Sequence, residues 1–186
     1  MTVAGTTPYA WPYDDALAGE RLALVIAGAD ADWASHVQRS HEHLFVLRAL
    51  ANEVAVLGGL VVRVGHPSRL RVPAPLVDLP SQADVRAGGI DGFFASTLDG
   101  VLRGAGRSLV VLAGFGLEGP VHSTLRSAND RGYECLTLRD ACAVLDPECE
   151  HASYSSIEMS GGIFGAVGDS AALLQALHAT VPLEVE

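Results

Sequence analysis

Ser108-Leu109-Val110-Val111-Leu112-Ala113-Gly114-Phe115-Gly116-Leu117-Glu118-Gly119 decides the fold. The apolar run does not alternate with polar residues, so both of its faces are covered, as in a central strand of a parallel sheet. Glycines then break the strand. Pro120 fits the first turn of a helix over Pro120–Arg131, with Gly132 just past its end. A second apolar run, Tyr133–Leu138, follows. Strand, helix and strand at this spacing make a crossover between parallel neighbours.

The same grammar extends outward. Leu22–Ala27 is an apolar run that stops at Gly28. Ser40 suits an N-cap, and Leu44, Leu47, Leu50, Ala51 and Val54 follow at helical spacing until Gly58-Gly59. Leu60–Val64 is another buried strand. Residues 65–84 hold Pro67, Pro73, Pro75 and Pro80 and form a long irregular connection. Phe93–Arg103 has helical spacing closed by Gly104, and 148–159 and 169–179 are the last helices, with a short strand near Ile163 between them. The expected fold is α/β, three-layered, with a mostly parallel, doubly wound sheet of about six strands. Residues 1–21, with Tyr9, Trp11 and Tyr13 among prolines, form an N-terminal arm on a single domain spanning 22–186. Such aromatics also suit an interface, which points to an oligomer.

Composition narrows the function. The net charge of −10 disfavours nucleic acid. No apolar stretch is long enough to span a membrane and no signal peptide is visible, so a cytoplasmic protein is expected. All twelve basic residues are arginine. Without a lysine, any mechanism that needs one from this chain is excluded. Cys135, Cys142 and Cys149 fit neither a disulfide framework nor a zinc site, and no metal or cofactor is expected. Cys135 reads as a structural thiol in a strand. His41-Glu42-His43 reads as solvated polar residues at a helix start rather than a metal site.

Gly114 to Gly119 also fits G-x-G-x-x-G, with Asp140 beyond the next strand. A dinucleotide fingerprint belongs after the first strand, however, and here it follows a late one. Glycines also serve tight strand-to-helix turns.

From that turn onward the chain resembles the isochorismatase-like cysteine hydrolases, in the biuret-hydrolase-like amidohydrolase branch. The residues that carry the resemblance are Val121 to Leu136, Met159 to Val167 with Asp169-Ser170-Ala171, the arm Tyr9 to Asp14, Ala23-Leu24-Val25-Ile26 and Phe93-Phe94. The resemblance implies three catalytic residues. They are an aspartate after the first strand as general base, a lysine that supports charge, and a cysteine nucleophile at the helix start after the glycine turn. Thiolates are stabilised at such a place. Here those positions are occupied by Gly28, Ala87 and Pro120. Asp32-Trp33 stands where the family has Asp-Phe. No catalytic residue remains by that mechanism.

The vestigial pocket expected from the resemblance comprises Asp30, Asp32, Arg86, Asp91, Phe93, Glu118, Gly119 and His122. The implied function is a non-catalytic homologue, a structural or regulatory subunit in a homo-oligomer or beside an active paralogue. Two alternatives stay open: an amidohydrolase on a small amide or urea-like substrate with rearranged or partner-supplied residues, and a small-molecule binding protein that uses the old pocket.

Overall fold

The computed structural model describes residues 1–37, 40–66 and 82–181, without the side chains of Ser40 and Ser160. The six strands are β1 Leu22–Ala27, β2 Leu60–Gly65, β3 Ala83–Arg86, β4 Leu109–Phe115, β5 Glu134–Ala143 and β6 Ala166–Gly168. They lie in the order β3-β2-β1-β4-β5-β6, and every neighbouring pair is parallel. The helices are α1 Ala31–His36, α2 Ser40–Val56, α3 Leu98–Gly104, α4 His122–Asp130, α5 Glu150–Glu158 and α6 Ser170–His178.

β1 explains the layering. Leu22, Leu24 and Ile26 face one core, which holds Leu47 and Val54 of α2 and Leu173 of α6. Ala23, Val25 and Ala27 face the other, which holds Leu98 of α3, Leu125 of α4 and Ile157 of α5. A strand covered on both faces has no use for polar alternation.

Four expectations are corrected. The helix expected from Phe93 starts at Leu98. Ala95 takes φ 47°, and Ser96 Oγ donates to Gly92 O while accepting from Leu98 N, so residues 91–97 are turns. The strand expected near Ile163 is Ala166–Gly168; Ile163 is exposed, between left-handed Gly162 and Gly165. The strand expected to end at Leu138 continues to Ala143, past a register shift against Leu112 and Gly114. His43 is half-buried, with Nε2 3.1 Å from Gly114 O and its ring edge-on to Phe115, rather than solvated. The proline-rich tract at 67–81 and the Ser40 cap lie outside the described residues and side chains.

The arm folds back on its own chain. Val3 N donates to Trp11 O at 2.7 Å, and Thr7 exchanges two backbone hydrogen bonds with Val167 of β6. Trp11 is 0% exposed, inside the core shared with Leu24 and Leu136. Its indole is therefore no interface anchor, contrary to the argument from composition. No helix of the described residues is long and apolar enough to cross a membrane.

Candidate functional site

The strand order reverses direction between β1 and β4, and open parallel sheets bind ligands at the carboxyl ends of the strands beside such a switch. A cleft of about 400 Å³ lies there, lined from the ends of β1, β2 and β3 and from the turn after β4. Gly28, Ala87 and Pro120 all line it.

The backbone around Gly28 is tight. Gly28 has φ +63°, and a Cβ there would sit 2.5 Å from Phe115 O. The next strand presses in as closely, because a Cβ on Gly114 would meet Ala27 O at 2.0 Å. Glycine at these two places lets β1 and the turn after β4 approach each other. That turn runs through left-handed Gly116 into a π-helical turn over Leu117–Val121, which then becomes α4.

Asp30 is buried and lines the cleft. Its Oδ1 accepts from the backbone N–H of Asp32 at 3.2 Å and of Trp33 at 3.1 Å, and its Oδ2 accepts from His66 N at 3.4 Å. It is the N-cap of α1 and ties that helix to the end of β2. Trp33 and Ile90 supply apolar walls. Thr124, fully buried on α4, accepts from Gly92 N at 2.9 Å through Oγ1.

The other residues expected at the pocket are spread around this cleft rather than lining it. Gly119 borders it, packed near Trp33 and Ile90. Asp32 and Arg86 are exposed. Asp91 accepts from Phe93 N and from Ser127 Oγ, which fixes the turns before α3 to α4. Phe93 is core, stacked 5.9 Å from Tyr133 with Arg131 over its ring. Glu118 accepts from Leu145 N and Asp146 N. His122 Nδ1 accepts from Arg126 Nε at 3.1 Å, so Nε2 carries the proton and meets Ser156 Oγ at 2.9 Å. Burial and then Arg126 hold the His122 pKa below its usual value. This histidine clamps α4 to α5.

No cysteine lines the cleft. Cys135 and Cys142 are buried, with Sγ directed at Tyr133 O and Leu112 O, and burial pushes both thiols up. Exposed Cys149 is also raised, by desolvation and then Asp146. A reactive thiol needs the opposite shift. Among the described residues no group of three His, Cys, Asp or Glu could hold a metal ion. No local pattern singles out Thr124 or His66 as site residues. Only their places, one in a helix after the turn and one just past β2, mark them.

Chemically, the cleft can hold a small molecule against an indole ring. The carboxylate and the hydroxyl named above already bond to backbone N–H groups, and no thiol stands by to attack a carbonyl.

The chain is 38% identical over 87 residues to the ureidoacrylate amidohydrolase RutB of Methylobacterium radiotolerans, covering 46% of this chain and 33% of that one. It is 28% identical over 92 residues to the isochorismatase family protein YddQ of Bacillus subtilis, covering 46% of this chain and 51% of that one. The match therefore spans about half of one relative and a third of the other. A cysteine hydrolase from Pseudomonas syringae pv. phaseolicola shares the fold with a TM-score of 0.77 at 16% identity, over 89% of this chain and 96% of that one. The model of the isochorismatase domain matches residues 75–172, more than half of the 186 residues, and the chain thus belongs to the isochorismatase family of hydrolases.

Proposed function

We propose that this chain is a non-catalytic member of the family that keeps the cleft as a binding site for a small molecule. One observation carries the reading: Gly28, Ala87 and Pro120, which stand where the resemblance implies aspartate, lysine and cysteine, line one cleft that has no thiol. A hydrolysis that passes through a thioester requires that thiol. The volume of about 400 Å³ suits a small ligand.

A second reading, a structural or regulatory subunit beside an active paralogue, draws on α2. It exposes Phe45 and Val46 in its first half and Val56 at its end, apolar side chains that a partner would cover. Oligomer formation, whether with itself or with a paralogue, belongs to this reading.

The test is incubation of the purified protein with ureidoacrylate, biuret and nicotinamide, followed by intact-mass measurement. The expected outcome is no hydrolysis above the buffer rate and no acyl adduct on any cysteine. An adduct on Cys135, Cys142 or Cys149 during turnover would overturn the proposal. Hydrolysis that appears only on mixing with an intact relative would favour the partner-supplied alternative.

A further inference from the structure

At the opposite end of the sheet, where the strands begin, a separate hollow of about 400 Å³ lies between the arm, the start of β5 and the loop after α5. Tyr9 and Tyr13 supply two aromatic walls, with ring centroids 6.1 Å apart at 73°. Tyr9 is seated against Gly162, where any Cβ would come within 2.5 Å of the ring. The two rings meet edge to face, and both border the hollow.

Glu134 lines the same hollow and is half-buried. Its carboxylate accepts from Tyr13 N–H. Among the described residues it makes no ion pair; the charge of Arg21 reaches it and acts to lower its pKa, but that guanidinium is bonded elsewhere. Arg21 pairs with Asp14 at 2.9 Å and donates to Ala16 O. Arg103 pairs with Asp99 and donates to Arg131 O. Arg131 donates to Ser127 O and covers Phe93. The Tyr9 hydroxyl makes no hydrogen bond to the described residues. Burial, the backbone bond notwithstanding, holds the Glu134 carboxyl above its ordinary range. A carboxylate in that state gains from a cation beside it.

We propose that this hollow is a second binding site, distinct from the cleft, for a small methylated ammonium ion held by the rings of Tyr9 and Tyr13 and the charge of Glu134. Aromatic faces attract such ions through their quadrupole, and a carboxylate adds Coulomb attraction without needing an N–H donor. The net charge of −10 favours a cationic ligand over an anionic one. The proposal is independent of whether the chain is catalytic.

Choline is the probe, and 3,3-dimethylbutan-1-ol, its uncharged counterpart of the same shape, is the control. Isothermal titration of the intact protein should show saturable choline binding and none by the alcohol at the same concentrations. Glu134→Gln should weaken choline binding by about tenfold. Tyr13→Ala, at a residue 82% exposed and so harmless to folding, should weaken it by roughly threefold. Trp33→Ala, at the other end of the sheet, should leave it unchanged. Equal binding of choline and the alcohol, no saturable choline binding, or loss of binding in Trp33→Ala alone would each overturn the proposal.

Discussion

At the carboxyl ends of the strands, acids take backbone N–H groups; at the amino ends, arginines take carbonyl oxygens. Asp30 caps the start of α1, Asp140 accepts from Ser170 N at the start of α6, and Glu118 accepts from Leu145 N and Asp146 N. At the other end Arg107 Nη1 donates to Gly19 O at 2.8 Å and Gly58 O at 3.1 Å, and Arg103 donates to Arg131 O just past α4. Helices that follow parallel strands begin at the carboxyl end of the sheet and finish at its amino end. Free N–H groups and positive dipole ends therefore gather at one end, and free carbonyls at the other. The charged side chains sort accordingly. Most of them serve the framework, which is why the cleft has little polar chemistry left. Glu134 stands out there as a half-buried acid that makes no ion pair among the described residues, whereas Asp14 pairs with Arg21 and Asp99 with Arg103.

The largest test of this contrast is Trp11→Ala. Removing a fully buried indole at the amino end should lower unfolding stability by about 3–5 kcal/mol, whereas Tyr13→Ala should change it by less than ~0.5 kcal/mol. Denaturant melts of the two variants decide it, and equal small losses would mean that the arm is not part of the core.

Next come the two kinds of backbone cap. Arg107→Met removes a part-buried charged hydrogen bond to the Gly19 carbonyl and an exposed one to the Gly58 carbonyl, and should cost about 2–3 kcal/mol. Asp30→Ala removes one helix cap at the cleft and should cost about 1–2 kcal/mol. A larger loss at Asp30 than at Arg107 in the same melts would reverse the comparison.

The smallest effect is acidification. Burial, ahead of any charge, lowers the pKa of His43 and His122 in the folded chain. The unfolded chain therefore takes up protons first, from its ordinary value near about 6.5. Stability should be at its full value above that pH and fall as pH drops through the lower folded values. His122→Gln should flatten part of that slope in melts between neutral and mildly acidic pH. An unchanged slope would remove His122 from the account.

What the sequence made legible follows from physics. β1 and β4 are apolar on both faces, and β2 breaks its apolar run only at Arg63, so their residues announce them without any partner. β3 is Ala-Asp-Val-Arg at the sheet edge, and only Val85 of its four residues is buried, too little pattern to distinguish it from loop. Phe94, Leu98, Val101 and Leu102 do fall at helical spacing, yet the helix starts only at Leu98 and Phe93 packs on Tyr133 from a turn. Periodicity alone does not separate those cases. Gly28, Ala87 and Pro120 were legible as a set only through family resemblance, since nothing local marks a missing side chain. Trp11 was misjudged because its cover comes from strands far along the chain.

The bonds between Thr7 and Val167 also impose an order of events. A segment made before β1 finds its seat only when β6, among the last strands made, has joined the sheet. Until then the Trp11 indole has no finished pocket, and the growing chain carries an exposed apolar ring of the kind that chaperones hold and that drives aggregation. Docking of the arm thus reports that β6 has joined the sheet, and a chain cut short before Val167 would betray itself by an indole still in water.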